Sequence, residues 1–269
     1  MKKFLIIPLV LLSLVSSPSW GGDIDKGLAA YERGDFATAL REWTPLAEQG
    51  NAEAQSLLGW MYAEGDGVPE DDAAAAKWYR LAADQGYVYA QFYLGAVYEE
   101  GKGVPADQEA AAKWYSLAAE QGFADAQLNL GVMYREGRGV PLDNESAVKW
   151  YRLAAEQGLA AAQHNLGVMY DEGESVPLDD KIAVKWYSLA AEQGHTGAQT
   201  NLGFMYVRGE GVPQDYLYAH MWWNIAATSG ESESASIARD TLEQRMTSEQ
   251  IAEAKRLAGE CVGWSFMSC

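Results

Sequence analysis

Few side chains of this sequence are placed to act as nucleophiles or general bases. The three histidines, His164, His195 and His220, fall at three different positions of the pattern that repeats along the chain, so the sequence predicts no shared histidine site. The one catalytic-type motif is the S-x-x-K segment 146–149, which is of the penicillin-recognising type and would supply a serine nucleophile. An enzyme needs several reactive groups that converge on one point, and no Lys-Thr-Gly or Ser-Asp-Asn motif accompanies this segment.

The lysine of that motif is better explained by the repeat than by catalysis. Lys149 recurs every 36 residues as Lys77, Lys113 and Lys185, while the serine position holds alanine or isoleucine in those copies. The sequence contains no zinc-protease, lipase-type or phosphate-loop motif. It therefore favours a non-enzymatic protein with no cofactor and no metal. A β-lactamase-like or penicillin-binding cell-wall enzyme is the alternative.

The elements that must position these residues recur with a period of 36 residues. Glycines keep this spacing from Gly50 to Gly230, and tryptophans keep it from Trp78 to Trp222. A fixed period in this range is typical of a stacked repeat array. The full repeats are predicted at 51–86, 87–122, 123–158, 159–194 and 195–230.

Each repeat reads as two antiparallel helices, and the repeat 123–158 illustrates the pattern. Ala126 and Leu130 begin an apolar stripe with helical spacing, and a second stripe follows the Gly-x-Gly-Val-Pro segment 137–141. Gly131 lies in the middle of the first helix, where glycine lowers helix stability by roughly 1 kcal/mol relative to alanine. We therefore expect a neighbouring helix to approach closely at Gly131.

The first residues are predicted to form a secretory signal peptide over 1–21. Lys2 and Lys3 precede a short apolar run, 4–15, and small residues follow it. The run is too short for an ordinary membrane span. The mature protein is expected to be soluble and periplasmic or secreted, and a retained signal anchor is the alternative.

The segments that flank the repeats are predicted to be helical. An atypical leading pair of helices is expected over 22–50, and a helical cap over 231–260, with its last helix ending near Leu257. The tail 261–269 holds the only cysteines, and an even pair in an exported chain predicts a disulfide. The predicted disulfide joins Cys261 and Cys269.

The charge of the chain limits the classes of partner. Its formal net charge is -18, which disfavours nucleic acid and anionic membranes because both require positive charge on the protein. The mature chain is expected to make no stable membrane insertion. A basic protein partner is compatible with this charge.

The repeat motif resembles that of a known family. The pattern AxAQxxLGxMYxxGxGVPxDxxxAxxWYxLAAEQG is similar to the Sel-one-like repeat (SLR), a relative of the tetratricopeptide repeat, and it covers about 180 residues in five copies. The resemblance implies an all-α, right-handed α/α superhelical solenoid with a concave groove. It also implies an exported bacterial adaptor or scaffold that binds proteins or peptides. Cysteine-rich members linked to penicillin binding carry a disulfide in each repeat, and this chain has none there.

Residues that vary between repeats are the candidates for contacting a partner, because packing does not fix them. Asn129, Asn165 and Asn201 recur at one position of the first helix and would form a ladder of amides for an extended peptide. The alternative is that they bond to the adjacent repeat and that the aromatic residues pack between helices. The other candidate peptide-binding residues are Trp60, Tyr89, Phe92, Tyr93, Leu128 and His164.

The sequence therefore predicts a peptide- or protein-binding adaptor of the bacterial envelope. A structural spacer in an envelope assembly is the other alternative, and a featureless concave face would favour it.

Overall fold

The computed structural model describes residues 22–228 and 232–263. These ranges contain fourteen α-helices and no strand, which confirms the predicted all-α solenoid of helix-turn-helix repeats. The predicted signal peptide 1–21 and Cys269 lie outside the described residues. The helices are α1 Ile24–Glu32, α2 Phe36–Glu48, α3 Ala52–Glu64, α4 Asp72–Ala83, α5 Val88–Glu100, α6 Gln108–Glu120, α7 Ala124–Glu136, α8 Asn144–Glu156, α9 Ala160–Glu172, α10 Asp180–Ala191, α11 Thr196–Arg208, α12 Tyr216–Thr228, α13 Glu233–Glu243 and α14 Ser248–Gly263.

The chain divides into two compact units, Met1–Gln85 and Gly86–Cys269. The described part of the first unit holds α1 to α4, which pack in sequence around a core that includes Trp43 and Met61. The indole Nε1 of Trp43 donates to the carbonyl oxygen of Ile24 at 3.2 Å. This buried indole joins the leading helices α1 and α2.

The second unit holds α5 to α14, and each helix from α5 to α12 packs on the next one in the chain or on its partner within a repeat. The core takes the same residue types from each repeat. Tyr115, Tyr151 and Tyr187 are at most 1% exposed, and alanines around them let the helices pack closely. The apolar stripes of the sequence therefore face this core, as amphipathic helices require.

The second helix of each repeat approaches the glycine in the middle of the first helix closely, as predicted, and the contact is made by an aromatic ring. A Cβ atom on Gly131 would lie 2.7 Å from the ring of Tyr151, closer than an ordinary van der Waals contact. The ring belongs to the second helix of the same repeat. The equivalent pairs are Gly59–Tyr79, Gly95–Tyr115, Gly167–Tyr187 and Gly203–Trp223.

The turn between the two helices of a repeat requires positive φ at two positions. Gly137 and Gly139 both have φ of 67°, which glycine adopts without steric cost. In the fourth repeat Ser175 replaces the second glycine and takes φ of 56°, the one positive-φ residue other than glycine in the described ranges. The turn of the fourth repeat has one glycine fewer, and a strained serine takes its place.

A ladder of buried glutamines joins successive repeats, and the sequence patterns above do not reveal it. Gln127 is 3% exposed, and its Nε2 donates to the carbonyl oxygen of Ala119 in the preceding repeat at 3.1 Å. Its Oε1 accepts from Nε2 of Gln157 at 2.8 Å. Gln163 makes the same pair of bonds with Ala155 and Gln193. Each glutamine therefore links the end of one repeat to both helices of the next.

The C-terminal cap differs from its predicted bounds. The side chain of Ser232 accepts a hydrogen bond from the amide of Ala235 and caps α13, which begins at Glu233. Thr247 and Gln250 form a capping box at the start of α14, with reciprocal bonds of 2.9 and 3.3 Å. The prediction that the last helix ends near Leu257 is wrong.

That last helix, α14, continues to Gly263 because its buried stripe continues. Ala254, Ala258 and Cys261 are all at most 4% exposed and have helical spacing. Cys261 therefore lies in the cap helix and not in a separate tail. Its predicted disulfide to Cys269 stays a prediction.

Candidate peptide-binding surface

The variable positions of the first helices α5, α7, α9 and α11 follow one another along the second unit. We call these side chains the first-helix strip. Most of them are half-buried, and Thr200 is buried. The strip consists of Phe92, Tyr93, Leu128, Asn129, His164, Asn165, Thr200 and Asn201.

Aromatic rings form the N-terminal end of the strip. The ring of Phe92 lies 5.4 Å from that of Tyr93 and 5.0 Å from that of Phe123, and Tyr89 lies 5.4 Å from Phe123. The structure thus brings together three aromatic residues named by the sequence and adds Phe123, which the sequence reasoning missed. Phe92 also lies 5.8 Å from the buried ring of Tyr115, so it packs between helices as well as facing the strip.

The asparagine ladder faces the adjacent repeat, and Asn201 donates to His164 Nε2 of that repeat at 3.3 Å, as the alternative interpretation expected. Asn129 acts to lower the pKa of Tyr115 in the preceding repeat, and the hydroxyl of Tyr115 donates to Glu99 Oε2 at 2.7 Å. Burial and the bond to Glu99 outweigh that effect and raise the pKa of Tyr115. Asn165 and Asn201 act in the same way on the pKa of the equivalent tyrosines, Tyr151 and Tyr187. These contacts occupy part of each amide, and its role in peptide binding stays a prediction.

Two histidines meet at the C-terminal end of the strip, so the expectation that the histidines share no site is wrong for this pair. The rings of His164 and His195 are stacked with centroids 4.6 Å apart. His195 precedes α11 and caps it, because its Nδ1 accepts from the amide of Ala198 at 3.2 Å. Residues at different repeat positions thus meet because the start of one first helix faces the middle of the preceding one.

The histidine pair is uncharged at neutral pH. Burial, followed by the neighbouring His195, lowers the pKa of His164 to about 4. Burial also lowers the pKa of His195. Both imidazoles therefore act there as neutral groups, each with one N–H and one lone pair.

Hydroxyl groups line the same end of the strip. Thr200 donates to the carbonyl oxygen of Thr196 at 2.9 Å and lies 3.1 Å from Ser232 Oγ, which lies 3.1 Å from Ser234 Oγ. Together with both imidazoles and Asn201, they border an open cavity of about 650 Å³. The sequence reasoning named His164 and Asn201 but missed Ser232 and Ser234, which lie at the start of α13.

Leu128 and Trp60 occupy different environments. Leu128 is half-buried against the apolar core of the second unit. Trp60 belongs to the first unit, where its Nε1 donates to the hydroxyl of Tyr31 at 2.7 Å, and Tyr31 donates to Asp66 at 2.5 Å. Trp60 is thus part of a local hydrogen-bond chain.

The side chains of the S-x-x-K segment make structural contacts within α8. Ser146 donates to Asp143 Oδ2 at 2.6 Å within the N-cap of α8, and the Lys149 ammonium lies 4.9 Å from the ring centroid of Trp150. Within the described residues, no group of three or more His, Cys, Asp or Glu side chains is arranged to hold a metal ion. None of the helices in these ranges combines the length and apolar character needed to cross a membrane.

Comparisons with known proteins agree with the repeat pattern. The family model for the Sel1 repeat matches residues 52–87, 88–123, 124–159, 160–195 and 196–231. A crystal structure of a Sel1 repeat protein from Oxalobacter formigenes is 32% identical, covers 88% of this chain and 99% of its own, and has a TM-score of 0.78. A protective antigen of uropathogenic Escherichia coli strains that displays an SLR fold is 28% identical, covers 90% of this chain and 69% of its own, and has a TM-score of 0.43. None of the curated proteins matches this chain. The five matched repeats, and the likeness to the Oxalobacter protein over nearly its whole length, place the chain in the Sel1 repeat family.

Proposed function

We propose that this chain is a non-enzymatic adaptor of the bacterial envelope that binds a protein or peptide along the first-helix strip. The observation that carries the proposal is the contact between variable side chains of successive repeats. Phe92 meets Phe123 at one end, and His164 meets His195 at the other. The strip therefore combines aromatic anchors with adaptable polar groups, the composition that binding surfaces favour.

The size of the strip suits an extended peptide. Four first helices carry it, and side-by-side helices lie roughly 8–10 Å apart. Three such spacings give roughly 24–30 Å, which an extended segment of about seven to nine residues would span at about 3.3 Å per residue. The amide oxygens and imidazole nitrogens of the strip would bind backbone groups of such a segment.

A position-specific crosslinking experiment tests the surface. A photoreactive amino acid is placed at Tyr93 or Asn129 on the strip, and in control variants at Leu153 or Leu189, which are exposed on the second helices. We expect adducts with an envelope protein from the strip positions and few from the controls. Adducts that form equally well from the second helices would contradict the proposed surface.

The envelope location is a separate part of the proposal, and it rests on the signal-like segment 1–21. Deleting this segment is expected to retain the protein in the cytoplasm, whereas the intact chain fractionates with periplasmic or secreted proteins. An intact chain found only in the cytoplasm would contradict export.

A further inference from the structure

Equivalent junctions between the repeats of the second unit differ in chemistry. At each junction, a residue in the middle of one first helix pairs with the residue that precedes the next first helix. Two of the three junctions carry apolar pairs and the third carries two imidazoles. The rings of Phe92 and Phe123 are in contact, as are those of His164 and His195, and the equivalent residues Leu128 and Leu159 both pack against the same apolar core. At the other two junctions the repeats pack on one another through apolar residues. Packing alone therefore does not explain why the third junction carries histidines.

One hydrogen-bond donor at this junction has no partner in the described part of the chain. His195 Nδ1 accepts from the amide of Ala198, so the ring proton is on Nε2. No described residue accepts from that Nε2–H. A metal ion would need this nitrogen deprotonated and would disrupt the cap, so the geometry favours a hydrogen-bonded ligand over a metal.

An acceptor borders the same cavity as this donor. The side chain of Asn201 donates to His164 Nε2 over a long distance of 3.3 Å, which leaves its Oδ1 without a partner among the described residues. His164 is neutral at pH 7, so its Nε2 lone pair can accept this bond. The acceptor that the cavity offers to a ligand is therefore Asn201 Oδ1.

The absence of a side chain at Gly197 keeps this site open. A Cβ atom there would lie 3.2 Å from His164 Nε2 and 3.2 Å from His195 Cε1. The equivalent positions of the other four repeats all carry side chains: Glu53, Tyr89, Asp125 and Ala161. The opening is thus specific to the repeat that also supplies the histidine junction.

We propose that this cavity binds the primary carboxamide of an asparagine or glutamine side chain of the partner. The carboxamide oxygen accepts from His195 Nε2–H, and its NH2 group donates to Asn201 Oδ1. A trans peptide group presents its C=O and N–H on opposite edges, whereas a primary carboxamide presents both on one edge. Val168, which also lines the cavity, provides an apolar contact for the methylene groups. The inference rests on the proposed peptide-binding function and names its anchor residue.

An NMR titration of the full chain at pH 7 tests the site. The chain has three histidines, so three imidazole Cε1–H signals are followed. The probes are N-acetyl-asparagine N-methylamide and its leucine and aspartate analogues, which share the same backbone amides. We expect only the asparagine probe to shift the His164 and His195 signals, with a Kd on the order of 1–10 mM. His220 is fully buried in α12 and serves as the internal control.

Two variants separate binding from folding. Gly197→Ala fills the opening, and alanine already occupies the equivalent position of the fourth repeat. His195→Asn removes the Nε2–H but keeps the helix cap, since Asn51 caps α3 by accepting from the amide of Ala54 at 2.9 Å. Each is expected to weaken binding of the asparagine probe by about tenfold or more, the effect of a lost hydrogen bond or a blocked site, with unchanged helical content.

Several results would overturn the proposal: no shift with the asparagine probe, equal shifts with the leucine or aspartate analogue, or full binding in both variants. The crosslinking positions Tyr93 and Asn129 do not line this cavity. If these positions crosslink to a partner but the asparagine probe gives no shift, the carboxamide site is rejected and the peptide-binding strip is not. If the probe binds but these positions give no crosslinks, the proposed peptide binding along the strip is rejected.

Discussion

The glutamine ladder makes a quantitative prediction for Gln163→Leu. Gln163 is 5% exposed, donates to the carbonyl oxygen of Ala155 at 3.2 Å and accepts from Gln193 at 2.8 Å. Leucine has a similar size and fills the space but makes neither bond. Each bond contributes about 0.5–1.5 kcal/mol, so their loss alone would lower the free energy of unfolding by about 1–3 kcal/mol.

The surroundings place the effect in the lower part of that range. The carbonyl oxygen of Ala155 still accepts from the amide of Gly158 at 3.0 Å, and the exposed Gln193 side chain can turn to water. We therefore expect a loss of about 1–2 kcal/mol for Gln163→Leu. The matched control, Gln193→Ala, removes the outer bond together with the exposed bond of Gln193 Nε2 to the carbonyl oxygen of Leu189 at 3.3 Å, and it should lose about 0.5–1 kcal/mol.

A third variant tests the direction of the inner bond. Gln163→Glu places a carboxylate oxygen against the Ala155 carbonyl oxygen, and burial raises the pKa of such a carboxyl group. Because its folded-state pKa lies above its unfolded value, the stabilising protonated form is present at low pH and is lost as pH rises. Gln163→Glu is therefore expected to be less stable than Gln163→Leu at pH 7, and the gap should narrow toward pH 4.

Urea unfolding followed by circular dichroism and tryptophan fluorescence measures these differences. The reasoning is refuted if Gln163→Leu stays within about 0.5 kcal/mol of the native chain, a typical effect of a surface substitution. It is also refuted if the control Gln193→Ala is the more damaging change, because the inner bond would then contribute nothing.

Three further predictions concern glycine positions and pH. Gly131→Ala, whose Cβ would press on the Tyr151 ring at 2.7 Å, should destabilise the chain by about 1–2 kcal/mol in urea unfolding. Gly259 also lies in a helix but has open space around it, so Gly259→Ala should stabilise the chain by about 0.5–1 kcal/mol. Equal effects of Gly131→Ala and Gly259→Ala would contradict the packing argument. Ser175→Gly should raise the thermal midpoint by relieving roughly 1–2 kcal/mol of left-handed strain. Burial lowers the pKa of His164 to about 4. The stability that neutral His164 contributes is therefore fully present above pH 6.5 and is lost as pH falls toward 4. The native chain loses free energy of unfolding between pH 7 and pH 4, and His164→Leu should make this loss smaller by about 2 kcal/mol. An unchanged dependence of stability on pH would contradict this prediction.

The sequence predicted the helices and their core because the period and the apolar stripes are strong local signals. Gly131 was correctly predicted to receive a close neighbour, since a glycine repeated inside a helix lowers its stability unless a packing contact requires it. Gln127 was missed for the opposite reason. A polar residue repeated in every copy looks like a surface position, and only the packing of three helices shows that both ends of its amide are bonded.

The candidate site was harder to predict because the contacts between repeats do not join equivalent positions. His164 and His195 occupy different positions of the repeat, so comparing equivalent positions does not pair them. They are 31 residues apart, which is also the separation of Phe92 and Phe123, and the rings of both pairs are in contact. Pairing residues at that separation would have revealed the histidine junction from the sequence. Leucine at both positions packs the preceding junction without the desolvation that lowers both histidine pKa values. Since packing does not require these imidazoles, their chemistry is the best reason for their presence, and the junction is therefore where binding experiments should begin.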